Sequence, residues 1–321
     1  MRQTWSFSFS VSTAAFLTIS TAGSQQPAPV KSPFIAERPY AFTSFEEQST
    51  FTKRFYSREE FDGAKNNRAI ECSRIQYLSD GLRVTGFLVK PRDTGSKRYP
   101  AIVYNRGGLL EIGKIDTPNI LDFFYLASNG FVVLASQYRG NDGGEGREQC
   151  GGADVDDVTN LLAAAASLSY VDRKNLFFYG FSRGGMMTLL ALRQGAKVNA
   201  AAVVGAVFDL KGALQNAKPR APGIVDLVTE LIPDYTNRGA VALEERSAIN
   251  WPDKLNIPLL IIHGAEDEEV PPSQALAFAT KLNELHKCYE LVIYAKDIHE
   301  AAFNRRDRDA RIIAWFRSFL R

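Results

Sequence analysis

The chain has 321 residues, 45% of them hydrophobic, enough to bury a sizeable core in one large α/β domain or two small ones. Its 38 Lys and Arg nearly balance 36 Asp and Glu, and a net charge of +2 argues against a nucleic-acid binder or an electrostatic membrane anchor. No repeat of fixed period is visible, and no internal apolar run is long enough to span a bilayer.

Residues 1–22 read as a secretory signal: Arg2 near the start, a moderately apolar stretch from Val11 to Ile19, and small residues Ser20-Thr21-Ala22 where a peptidase could cut. An exported protein, periplasmic or extracellular, is therefore expected, the other reading being a leader on a cytoplasmic enzyme. Residues 23–33, with three prolines and two glutamines, form a tether, and residues 34–321 a single domain. The three cysteines, Cys72, Cys150 and Cys288, are odd in number and lack metal-like spacing with histidine. They are expected as buried unpaired thiols, the other reading being one closed pair in an exported protein, and no metal is expected.

From Pro39 to Asn67 the chain is aromatic and charged and predicts one or two helices on the outside of the domain. Two antiparallel strands, Ser73 to Tyr77 and Arg83 to Val89, are predicted around the hairpin signal Asp80-Gly81. From Tyr99 onward, apolar runs at 101–104, 131–135, 176–179, 200–204, 259–262 and 290–294 alternate with helical stretches at 116–129, 154–168, 186–193, 273–286 and 306–320. Two antiparallel strands followed by six alternating ones predict the α/β-hydrolase plan, a mostly parallel eight-stranded sheet with helices on both faces. In such sheets the site gathers at the carboxyl ends of the strands. The glycine-rich stretch Gly140 to Gly152 fits no phosphate-binding fingerprint and leads into a helix with acidic first-turn residues near Asp154, so no cofactor is expected. Residues 208–251 lie where hydrolases insert a cap, and are expected to shape a substrate cavity.

One stretch organises the rest. Leu176 to Tyr179 suits a strand buried on both faces, the residues from Met186 suit a helix, and between them stands Gly180-Phe181-Ser182-Arg183-Gly184. This is the nucleophile-elbow pattern, in which a sharp turn exposes a serine hydroxyl and the N–H of the next residue faces a developing anion. A serine hydroxyl needs a base oriented by a carboxylate. Of the three histidines, His286 lies in a helical stretch and His263 ends a strand. His299 follows the last strand and is the expected base, with His263 the other candidate. The loop His263 to Pro272 crowds four carboxylates together; Asp267 is the expected acid, and Glu266, Glu268 and Glu269 read as solvated charge. For the oxyanion hole the candidates are the N–H groups of Arg183 and Gly108, with the Arg106 side chain as an extra donor.

The chain resembles the catalytic domain of the prolyl oligopeptidase family of serine peptidases. The resemblance rests on Gln137-Tyr138-Arg139-Gly140 with Gly143 to Gly146, Gly151 to Asp157, the elbow Gly180 to Gly185, and His263 to Asp267 through Val270-Pro271. It implies Ser182 as nucleophile, Asp267 as acid, His299 as base and the Arg183 N–H as one oxyanion donor. The family usually carries His or Tyr at the position of Arg106, so a tyrosine hydroxyl is not available there. Its peptidases generally place a large β-propeller before the hydrolase domain, and residues 23–99 are too short for one, so peptide specificity does not carry over. The expected activity is acyl transfer from a peptide, amide or small-molecule ester to water, with a carboxylesterase resembling dienelactone hydrolase as the alternative. A non-catalytic binding protein on the same fold is the rival from another class. A homo-oligomer is compatible with the sequence.

Overall fold

Among the described residues one sheet has nine strands, most of them from apolar runs bounded by turn residues: β1 (Phe34–Pro39), β2 (Ile70–Ser79), β3 (Leu82–Pro91), β4 (Tyr99–Asn105), β5 (Val132–Ser136), β6 (Val171–Phe181), β7 (Ala200–Val204), β8 (Leu259–Gly264) and β9 (Tyr289–Tyr294). This computed structural model describes Met1 and residues 32–321. The export signal expected over residues 1–22, Met1 apart, and the tether as far as residue 31 lie outside the described residues.

The spatial order is β1-β2-β3-β5-β4-β6-β7-β8-β9. The first three strands are antiparallel, and β3 pairs antiparallel with β5; every pairing from β5 to β9 is parallel. The sheet thus has one strand more than the eight expected. The extra one, β1, is an edge strand that is largely exposed and ends in Pro39, so its sequence carries no alternation of apolar and polar residues. At the β2–β3 hairpin both turn residues, Asp80 and Gly81, have positive φ (52° and 82°), which is why an Asp-Gly pair stands there.

Among the described residues ten α-helices surround the sheet: α1 (Thr50–Phe55), α2 (Arg58–Lys65), α3 (Thr117–Ser128), α4 (Val155–Ser167), α5 (Arg183–Arg193), α6 (Leu210–Ala217), α7 (Pro222–Leu231), α8 (Tyr235–Arg246), α9 (Ser273–Glu284) and α10 (Arg305–Ser318). The pleat divides the core in two. Ala101, Val103 and Phe178 face α4 and α5, whereas Ile102, Tyr104, Phe177 and Tyr179 face α3 and α10. Because both faces are covered, the central strands read as unbroken apolar runs. The stretch 208–251 is mostly helical, α6 to α8, and lies over the carboxyl end of the sheet against Met186, Val207 and Val270.

Chain order reverses between β4 and β6: β5 follows β4 on one side, and β6 to β9 extend on the other. The crevice at such a switch point is where loops from two neighbouring strands can converge on one substrate.

Candidate active site

Ser182 occupies that crevice, at the turn from β6 into α5, with φ 54° and ψ −124°. A Cβ on Gly184 would run into the carbonyl oxygen of Asn105 at the end of β4, so only glycine lets α5 start so close to the neighbouring strand. The backbone N–H of Ser182 donates to Val204 O at 2.9 Å. Its side chain projects toward the loop after β9, where His299 Nε2 lies 2.8 Å from Ser182 Oγ.

His299 Nδ1 lies 2.7 Å from Asp267 Oδ2, in the loop after β8. An ionised carboxylate only accepts, so Nδ1 carries the proton and Nε2 of the neutral ring accepts from the serine hydroxyl. Asp267 is itself fixed: Oδ1 accepts the N–H groups of Glu269 and Val270, both at 2.9 Å. Burial alone would raise the Asp267 pKa, but hydrogen bonds from His263 and His299 outweigh it and hold the carboxyl well below its usual range. For His299 burial lowers the pKa, yet the bond to Asp267 and the negative charges of Asp267, Glu269 and Glu300 shift it upward overall.

The structure separates the three histidines. His263 is buried and reaches not Ser182 but Asp267 Oδ2 at 2.9 Å and Val270 O at 2.8 Å. Both are acceptors, so its Nε2 carries the proton. His286 is exposed, with φ 51° in the turn after α9. Of the four carboxylates after β8, Asp267 is buried while Glu266, Glu268 and Glu269 are exposed; Glu269 lies 3.7 Å from His299 Nε2.

Gly108 and Arg183 line the same cavity as Ser182. Arg106 does not, which corrects the expectation that its side chain serves as an oxyanion donor. All five of its N–H groups donate to backbone carbonyls, those of Gln137, Gly107, Ile112 and Leu110. A guanidinium so used, 1% exposed, braces the loop after β4 from behind.

Three contributors carry no sequence motif. Gly205, after β7, has φ 55°, and a Cβ there would sit 2.7 Å from His299 O and 3.0 Å from its Nδ1. Asp297 shapes the loop that holds His299, its carboxylate accepting the N–H groups of Ile298, Phe303 and Asn304. Glu148, fully buried, accepts from Arg183 Nη2 at 2.9 Å. A Gly followed by a buried loop was a faint signal for the first; the two acids resemble any loop carboxylate.

The cavity beside Ser182 holds about 400 Å³ and is chiefly apolar. Leu210, Ala213, Leu214, Ile224 and Val228 of α6 and α7 form one wall, and Met186 and Val207 another. Among the described residues no three His, Cys, Asp or Glu side chains are grouped to hold a metal ion, and no helix is long and apolar enough to cross a membrane. Cys72 and Cys150 are buried free thiols; Cys288 is free but exposed.

The strand order and the turn after β6 give this protein the α/β-hydrolase fold. The model of the prolyl oligopeptidase family matches residues 119–321. The chain belongs to that family. It is 31% identical over 226 residues to the Bacillus subtilis protein called uncharacterized peptidase YtmA, covering 70% of this chain and 84% of that protein. With human dipeptidyl peptidase 8 it shares 26% identity over 239 residues, 68% of this chain but only 25% of that protein. A solved Mycobacterium tuberculosis puromycin-hydrolyzing peptidase superposes with a TM-score of 0.69 at 24% identity, over 79% of this chain and 40% of that one.

Proposed function

We propose that this protein is a serine peptidase that works through an acyl-enzyme formed on Ser182. The observation that carries the reading is the continuous hydrogen-bonded path from Ser182 Oγ to His299 Nε2, 2.8 Å, and from His299 Nδ1 to Asp267, 2.7 Å. In this reading His299 takes the hydroxyl proton as Ser182 attacks the scissile carbonyl, then returns it to the departing amine. Asp267 keeps the proton on Nδ1 and stabilises the imidazolium. The N–H of Arg183, at the positive end of α5, and that of Gly108 receive the oxyanion. Water then releases the acyl group by the same steps in reverse. The apolar cavity takes the apolar side chain or acyl group on the carbonyl side of the bond.

A fluorophosphonate probe tests the nucleophile: wild type is expected to be labelled, and Ser182→Ala and His299→Ala to lose labelling while remaining folded. Absence of labelling in folded wild type would overturn the reading and favour a binding protein on this fold. A panel of aminoacyl amides and short acyl esters then tests the bond. Turnover of amides is expected, and turnover of esters alone would replace the peptidase reading with a carboxylesterase.

A further inference from the structure

The loop after β4 and the first residue of α5 line the same cavity beside Ser182, yet they follow separate strands. One side chain, Glu148, hydrogen-bonds to both. Glu148 is fully buried. Its Oε1 accepts the backbone N–H of Leu110, and its Oε2 accepts from Arg183 Nη2 at 2.9 Å and from Asn141 Nδ2 at 3.2 Å. Leu110 has φ 48°, a left-handed conformation that costs energy for a branched side chain, and the charge-assisted bond from its N–H to Glu148 helps to hold it there. From the other side Arg106 donates to Leu110 O at 2.6 Å and to Gly107 O at 3.0 Å.

Tyr138 lies between the two guanidiniums, its ring centroid 5.3 Å from Arg106 and 4.8 Å from Arg183. Asp154 completes the group at 3.4 Å from Arg183 Nη1. Two positive and two negative charges therefore cancel within a dry cluster directly behind the wall that meets the substrate. Removing Glu148 leaves an unbalanced buried charge and frees the loop from α5.

We infer that Glu148 is a positioning residue for acyl transfer: by holding Leu110 and Arg183 together it sets the spacing between the backbone donors of loop 107–110 and that of Arg183. The inference rests on the reading of Ser182 as nucleophile. Glu148 touches neither Ser182 nor the cavity, so its effect passes through the donors it aligns. A structural role alone would change the fraction of folded protein. A positioning role changes the rate at which an intact site reacts.

The test compares wild type, Glu148→Gln and Glu148→Asp in their reaction with a fluorophosphonate, whose attack by serine develops charge on an oxygen in the same place. Gln keeps the shape without the charge; Asp keeps the charge but is one methylene too short to reach both partners. Expected are unchanged end-point labelling per folded chain, a KI within about twofold of wild type, and a limiting rate kinact lower by about 10- to 100-fold, below the loss for deleting a donor outright. Should Glu148→Gln fail to fold by circular dichroism, Glu148→Asp carries the same expectation. A kinact within twofold of wild type in a folded variant, with wild-type labelling abolished by Ser182→Ala, would overturn the role of Glu148 and leave that of Ser182 standing. No labelling of folded wild type would remove the Ser182 reading and the inference with it.

Discussion

Ser182 holds a backbone conformation that costs on the order of 1–3 kcal/mol, and three hydrogen bonds enforce it. Its N–H reaches Val204, and its carbonyl accepts the N–H groups of Gly185 at 2.9 Å and Val207 at 3.4 Å. The strain turns Oγ away from the helix and toward His299. At that histidine, burial works against protonation while Asp267 works for it, and the upward net shift from 6.5 sets the pH response. With the neutral ring as base, as proposed, kcat/KM is expected to fall as pH drops through an apparent pKa above 6.5. Asp267→Asn removes the charge that raises the pKa and leaves the burial that lowers it. The acid limb should move to lower pH and kcat fall by about 10⁴-fold, as for a triad that loses its orienting acid. A pH profile of kcat/KM for both proteins checks this, and a wild-type limb at or below 6.5 would contradict it.

At the scale of elements, α6 and α7 wall the cavity beside the serine. Both have amphipathic sequences, and part of each apolar face lines the cavity where it meets the core: Leu210, Ala213, Leu214 and Ala217 on α6, Ile224 and Val228 on α7. Each methylene that an acyl chain buries there contributes about 0.8 kcal/mol. Ala213→Phe places a ring inside a cavity of about 400 Å³. With p-nitrophenyl esters as reporters, KM for an octanoyl ester is expected to rise about tenfold, equivalent to about two lost methylenes, while the acetyl ester keeps its KM within about twofold. Equal effects on both chain lengths would show that this wall does not receive the acyl group.

Across the whole molecule, one ion network draws distant parts of the chain to the same end of the sheet. Arg308 of α10 donates to Asp122 of α3 at 2.7 Å and to Glu300 O, beside His299, at 2.8 Å. Arg305 reaches Glu60 of α2 at 2.7 Å, and Tyr56, after α1, donates to Asp122 at 2.8 Å. Asp122→Ala removes one of the two carboxylates that pair with the buried Arg308, and breaking a buried pair typically costs about 3–5 kcal/mol. A thermal midpoint lower by roughly 6–20 °C is expected. A shift under 2 °C would mean that Asp309, 2.8 Å from Arg308 Nε, suffices as its partner.

Most of the architecture was legible in the chain because it is written locally. Strands buried on both faces need continuous apolar runs, hairpins need residues that accept positive φ, and a nucleophile elbow needs glycines on either side of its serine. β1 escaped because an exposed edge strand needs no such pattern. Ser182, Asp267 and His299 could be picked out because each follows a recognisable strand, but their meeting could not: His299 lies 32 residues from Asp267 and 117 from Ser182. Arg106 and Glu148 show the limit most plainly. In the sequence Glu148 is one charge among many that water could solvate and Arg106 reads as a donor to substrate; burial gives each its actual partners. Only the tertiary structure decides which charges lose their water, because desolvation depends on every element packed around a group and not on its neighbours in the chain.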